Sequence, residues 1–207
     1  RCAAASFWRW TAHKRADEQT IRLVEGRGAD GRALDRMMLD ICGPDMPFLV
    51  DSVMGEIGAQ GIAVRAVFHP IVTVSRDGDG RRGYEGLSIP ESLIQVHLPL
   101  LSGPRQDALL TGLREALSDV RASVRDFGAM KSRLVACIKE LAGANTGAPT
   151  EAVSEAITFL RWLADDRFVF LGARSYDYPR DKAGRLSRAE PDIKEELNLG
   201  ILRDPLR

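Results

Sequence analysis

Three cysteines are too few and too scattered to build chemistry on. Cys2, Cys42 and Cys137 follow no metal-ligand or redox spacing. An odd, sparse count suits a reducing cytoplasm. Histidine is equally scarce, and His13, His69 and His97 make no H-E-x-x-H or paired-ligand pattern. An excess of either charge is missing: 29 basic and 29 acidic residues cancel. That argues against a nucleic-acid or anionic-membrane partner, since both need a basic face. No apolar run approaches the ~20 residues of a spanning helix, and the N-terminus has no signal-type apolar core. There is no G-x-S-x-G, no Walker A loop and no Cys–His arrangement. Residue 1 is Arg, so the chain reads as a piece of something longer.

What is present is a foldable pattern over 207 residues, enough for one large or two small domains. Ala3–His13 predicts a short amphipathic helix, and Ile21–Glu25 a strand. The most telling stretch is Met37–Val74. An apolar strand (Met37–Cys42) runs into a Gly-Pro-Asp-Met-Pro turn. A helix follows over Pro47–Gln60, with Asp45 as its expected N-cap and Pro47 in its first turn. Leu49, Val53 and Ile57 form its apolar stripe, and Gly61 stops it. Ile62–Ser75 alternates as a strand. Pro70 inside it demands an edge position or a bulge. A polar turn spans Asp77–Gly83, and Leu93–Leu100 reads as the next strand. Arg105–Asp119 reads as a second helix and Val120–Val124 as a last short strand. The order from Met37 is then β-α-β-β-α-β, a ferredoxin-like α+β fold with two helices over an antiparallel sheet. Beyond it, Phe127–Ala142 is helical and Ala144–Pro149 is a linker. Thr150 should cap a helix over Glu151–Ala164, and Arg167–Tyr178 returns to strand alternation. The resulting division is 1–36 lead-in, 37–126 the α+β module, 127–164 a helical connector and 165–207 the start of a second α/β unit.

Several constellations invite chemistry and resist it. Gly26–Gly31 fits G-x-G-x-x-G. Only a few residues separate it from the Met37 strand, too few for the helix that a dinucleotide site needs, so it reads as a hairpin loop. His69 and His97 fall on neighbouring strands, as a polar sheet edge or subunit contact. Asp165-Asp166 reads as a solvated helix-to-strand turn. The Gly43–Asp51 segment differs, because a helix N-terminus there offers unpaired N–H groups to a carboxylate.

The run GPDMPFLVDSVMGEIGAQGIAV resembles the first half of an ACT domain. More narrowly, DMPFLVDSV followed by a strand containing HP is similar to the N-terminal region of the large bacterial NAD-dependent glutamate dehydrogenases. AAASFWRWTAHKR, IRLVE and EAITFLRWLADDRFVFLGARSYDY resemble segments flanking that region. The resemblance implies a cytoplasmic, homo-oligomeric parent that deaminates L-glutamate with NAD. Catalytic lysine, substrate pocket and Rossmann domain would lie downstream, so no catalytic residue, cofactor or metal is assigned here. Sheet edges would pair between subunits, and an amino acid is the possible effector. The effector position maps onto Gly43, Pro44, Asp45, Met46, Pro47, Phe48 and Leu49. Many ligand-binding ACT domains place Gly soon after the Pro, whereas Phe48 and Leu49 stand here. That departure points toward a structural or oligomerising role. A free-standing amino-acid-binding ACT protein is the alternative. A ferredoxin-like RNA binder would need aromatics on the central strands, and Met37–Cys42 and Leu93–Leu100 have none.

Overall fold

The computed structural model describes residues 3–28, 30–83, 87–180 and 190–206. They fall into two compact units, Arg1–Ser118 and Asp119–Arg207. In the first, helix α1 (Ala3–Trp10) precedes a hairpin of β1 (Thr20–Arg27) and β2 (Ala33–Pro44). Gly26 and Arg27 belong to β1, and the hairpin closes beyond them, with Arg27 opposite Ala33 and Gly28 N–H donating to Arg32 O (2.9 Å). Helix α2 (Leu49–Ala59), β3 (Ala66–Phe68), β4 (Ile71–Arg76), β5 (Arg82–Gly83) and β6 (Leu87–Leu98) follow. The sheet order is β1-β2-β6-β4-β5, with β3 also on β6, and every pairing is antiparallel. The α+β class and the ACT-type antiparallel sheet expected from the sequence are present.

Four local expectations are corrected. Val120–Val124 is not a strand but lies inside α3 (Gly103–Gly143), one continuous helix of 41 residues. Five residues are too short a window to fix a period. The buried Leu109, Leu113, Leu117, Val120 and Met130 carry a helical spacing straight through that segment. Its place beside β2 is taken by β1, which arrives from the N-terminal side. The single strand expected over Ile62–Ser75 is two, β3 and β4, interrupted at His69-Pro70. Proline cannot donate to the ladder, so there its carbonyl accepts from Leu93 N–H while pairing on β6 resumes beyond. Asp45 is not the cap of α2. Its N–H donates to Pro90 O (3.0 Å), which prolongs the β2–β6 ladder. Thr150 does not cap α4 (Thr150–Trp162) either, because it is the first helical residue after Pro149.

Alternation gives the sheet two different faces. Met37, Leu39 and Ile41 on β2 and Ile94, Val96 and Leu98 on β6 share one face and are buried. The apolar stripes of α2 (Leu49, Val53, Ile57) and α3 (Leu109, Leu113, Leu117) are buried with them as the main core. Gln60 Nε2 donates to Ala108 O, tying these two helices together. Gly61 at φ 62° closes α2, with Ile62 N–H donating back to Ile57 O, as expected of a glycine stop.

The opposite face carries Asp40, Cys42, Leu93, Gln95 and His97, and α1 covers part of it. Phe7 packs with Cys42 and Leu93, flanked by Trp10 and Val72. The segment after α1 is fixed by a buried ionic cluster. Arg76 donates to both oxygens of Glu91 (Nε 2.6 Å, Nη2 2.9 Å), to Thr11 O and to Gly80 O. Lys14 reaches the same carboxylate at 2.9 Å and also donates to Arg15 O and Glu18 O. Lys14, Arg76 and Glu91 are all buried. Gly80, at φ 83°, lets the chain pass here, since a Cβ would stand 2.5 Å from Lys14 O.

In the second unit, Asp126 on α3 organises the later segment. It accepts from Gly200 N–H (2.8 Å) and from Arg203 Nε (2.5 Å). The alternation of Arg167–Tyr178 is realised only as two-residue strands. β7 (Gly172–Ala173) pairs β10 (Leu199–Gly200), and β8 (Tyr176–Asp177) pairs β9 (Asp192–Ile193). The charged pattern of Asp181–Glu196 predicts a loop with a short helix; residues 181–189 lie outside the described residues, and a 3-10 turn over Glu195–Leu197 is present at its end.

Burial alone would raise the pKa of Glu91. Hydrogen bonds from Arg76 and Lys14, and their charges, reverse this and hold it below the ordinary carboxylate value. The stabilisation is therefore complete above the unfolded-state pKa near 4.5 and is lost as pH falls through the lower folded value. Glu91→Gln should cost about 3 kcal/mol or more, because two cations lose their counter-charge. Urea denaturation should also show a shallower acid-side loss of stability in the variant. Gly80→Ala should cost roughly 1–3 kcal/mol. Gly78→Ala, with nothing within 4 Å of its added methyl, should stay within about 0.5 kcal/mol of the parent.

Candidate functional site

The seven candidate effector residues run without a break from the end of β2 (Gly43, Pro44) through Asp45, Met46, Pro47 and Phe48 to Leu49, the first residue of α2. Gly43 is opposite Ser92 and Pro44 opposite Glu91 in the β2–β6 register. A Cβ at Gly43 would come within 3.1 Å of Gln19, so the glycine permits a close approach of the N-terminal segment. Asp45 remains tied to Pro90. Met46 is half-buried and Pro47 exposed. Phe48 then adopts a left-handed conformation, φ 69° and ψ 1°, and no side chain caps the helix it precedes. Leu49 is buried as the first helical residue. Ser52 N–H donates to Phe48 O, the first bond of α2. Asp51 sits in the first turn, where its charge favours the positive end of the helix dipole.

The backbone at position 48 has the conformation for which glycine is the default residue. Phe48 takes it at a steric cost, with its ring half in solvent at 42% exposure. The turn thus holds a left-handed residue that carries a half-exposed ring.

Beside the turn, Ser92 is buried, and its hydroxyl lies 2.6 Å from His69 Nε2. His97 is on the opposite sheet face and instead approaches Gln95 Oε1 at 3.3 Å. The structure therefore gives the two histidines separate partners. Gln95 Nε2 donates to Asp40 (2.7 Å), and Arg22 Nε donates to the other oxygen of Asp40 (2.9 Å). Burial raises the pKa of Asp40, against the bonds from Gln95 and Arg22. Arg22 also lies 4.4 Å from the ring centre of Trp10. Sequence reasoning did not single out this polar chain. An Asp at 40 and a Gln at 95, each inside an apolar strand, are its only trace.

No group of three or more His, Cys, Asp or Glu able to hold a metal occurs among the described residues. No helix there is long and apolar enough to cross a membrane. Asp165-Asp166 is an exposed turn, with Asp166 at φ 52° and bonded to Lys131 (2.6 Å).

A turn and sheet of this kind, preceded by a helix and a hairpin, have a known counterpart. The family model for the glutamate dehydrogenase ACT1 domain matches residues 1–110. The chain belongs to that family. The match takes in α1 and β1, which agrees with β1 completing the sheet. The NAD-specific glutamate dehydrogenase of Halomonas elongata is 34% identical over 168 residues, covering 77% of this chain and 10% of that protein. The NAD-specific glutamate dehydrogenase of Pseudomonas aeruginosa is 29% identical over 216 residues, covering 97% of this chain and 13% of that protein. The chain thus spans roughly a tenth of the length of these relatives.

If the left-handed backbone is imposed by the turn, Phe48→Gly should lie within about 1 kcal/mol of the parent protein. Relief of strain offsets the added freedom of the unfolded chain. Phe48→Val should lose roughly 1–3 kcal/mol, because β-branched residues resist positive φ most. Equal losses in the two variants, measured by chemical denaturation, would show that the ring's packing sets the stability of this turn.

Proposed function

We propose that this chain is a non-catalytic regulatory and assembly segment of a large NAD-dependent glutamate dehydrogenase. The parent reaction would convert L-glutamate, NAD and water to 2-oxoglutarate, ammonia and NADH. The catalytic domain and the NAD site lie elsewhere in the parent chain, and the parent works in the cytoplasm as a homo-oligomer. One observation carries this reading above the others. A chain whose first 110 residues match an ACT1 domain is similar to relatives about eight times its length that are named NAD-specific glutamate dehydrogenases. The same fact speaks against a free-standing ACT protein.

Two features support the regulatory and assembly roles. The uncapped start of α2 leaves N–H groups beside Asp45–Phe48 for an amino-acid carboxylate. The β3 side of the sheet exposes Val67 (39%), Phe68 (53%) and, just beyond, Ile71 (54%). An edge with apolar residues at its surface invites a second strand, and self-association would use it.

The 207-residue chain alone should produce no NADH from glutamate and NAD, and turnover by the pure chain would overturn the non-catalytic assignment. Val67→Lys should shift sedimentation toward monomer, since a charge on an open edge blocks strand pairing. A parent chain already monomeric at high micromolar concentration would remove the assembly role. Melting with a panel of amino acids at millimolar concentration tests the effector, and a flat panel would leave assembly alone.

A further inference from the structure

On the sheet face away from α2 and α3, an apolar groove of about 1050 Å³ opens between α1 and strands β3 and β6. We propose that this groove binds a small aromatic carboxylate, with its ring against Trp8 and Phe68 and its carboxylate at His97. The inference goes beyond the regulatory reading and does not use the β2–α2 turn, although it shares Phe68 with the β3 edge. The parent assignment can stand if it fails.

Size and lining select the body of the ligand. The groove has the capacity of a small-molecule pocket. Phe7, Trp8, Phe68, Val72 and Leu93 give it aromatic and aliphatic walls. Such walls suit a flat ring better than a flexible polar molecule. Its polar lining is Gln95 and His97 on β6 and His69 between β3 and β4, and His69 is already engaged by the Ser92 hydroxyl.

Charge selects the head group. No Asp or Glu lines the groove. The nearest carboxylate, Asp40, is wholly buried and committed to Arg22 and Gln95. Burial, followed by the charge of Arg36 on β2, lowers the pKa of His97 against the pull of Asp40. Arg36 Nε is buried without a hydrogen-bond partner among the described residues. The charge of Arg36 at His97 favours a carboxylate there over an ammonium.

The hydrogen-bond chain adds a direction. Gln95 gives its Nε2–H to Asp40, so its Oε1 faces His97 Nε2 as an acceptor. His97 Nε2 is then the protonated nitrogen, and Nδ1 is left for a ligand. Nδ1 can donate to a carboxylate only once it takes up a proton, so binding draws in one proton. The groups facing His97 are Gln95 on its own strand, Arg36 and Asp40 on β2, and the Phe68 ring on β3 (5.4 Å). The neighbouring Arg65 side chain turns instead to Asp35.

Phenylacetate, phenylacetamide and 2-phenylethylamine share one ring and differ in head charge. Each is titrated into the 207-residue chain, followed by tryptophan fluorescence and calorimetry. Phenylacetate should bind roughly tenfold tighter than the amide, and the amine should not bind. Phenylacetate affinity should rise severalfold between about pH 8 and about pH 6, with uptake of a proton. His97→Gln should abolish that pH dependence, and Trp8→Phe should remove the fluorescence response while binding persists in calorimetry. Ala5→Trp, at an exposed position of α1 lining the groove, should block phenylacetate and leave the melting temperature near that of the parent. It keeps the test decisive if His97→Gln fails to fold. Equal affinity for all three heads, preference for the amine, no binding at all, or undiminished binding in Ala5→Trp would each overturn the proposal.

Discussion

Glu91 meets Arg76 and Lys14 in a site closed to water, and the partial covering of one sheet face depends on that meeting. The carboxylate belongs to β6 and Arg76 to β4, while Lys14 comes from the segment after α1. Removing Glu91 would leave two buried cations without their counter-charge, which is far more costly than never burying the cluster. Such a cluster is a weak source of net stability but a strict condition on arrangement. It fixes where Thr11–Glu18 passes, and so where α1 lies. With α1 in place, Phe7 closes over Cys42 and Leu93. The Cys42 thiol sits beside the carboxylate (3.6 Å), and burial, followed by that negative charge, pushes its pKa up to about 12. It is therefore a neutral packing group, as its isolation in the sequence suggests.

The fold was legible wherever one period ran uninterrupted. The β2–α2–β6 centre follows from alternation and from the Leu49, Val53, Ile57 stripe, all three buried. The glycine stop at Gly61 followed from its position after the last apolar turn. Errors arose where a short window carried two readings. Val120–Val124 looks extended by itself, yet its neighbours on both sides place it in one long helix. Asp45 has the right chemistry for a cap, but the β2–β6 ladder takes its N–H first. In both places a partner distant in sequence, or a longer period, outweighed local preference.

The candidate turn was legible as a place but not as a conformation. The resemblance to ACT domains marks Phe48 as a departure from a glycine-bearing turn. Only the structure shows that Phe48 has a positive φ. The Asp40–Gln95–His97 chain was hidden for a different reason. Polar residues inside apolar strands look like outward-facing positions when the second face is taken to be solvent. They become internal groups once α1 covers that face, and α1 is placed by long-range ionic contacts that no periodicity reveals.

That hidden face also decides what the module can do. An antiparallel sheet with helices on one side only would present its second face to solvent or to a partner. Here that face is partly covered, so what remains open is an edge at β3 and a groove beside α1. An edge recognises backbone and favours a second strand, whereas a groove recognises shape and charge and favours a small molecule. Phe68 belongs to both, at the exposed edge and in the groove wall. A ligand in the groove would rest on a ring that a pairing strand also covers. Strand pairing and ligand binding would therefore be coupled through one side chain, without any motion of the core.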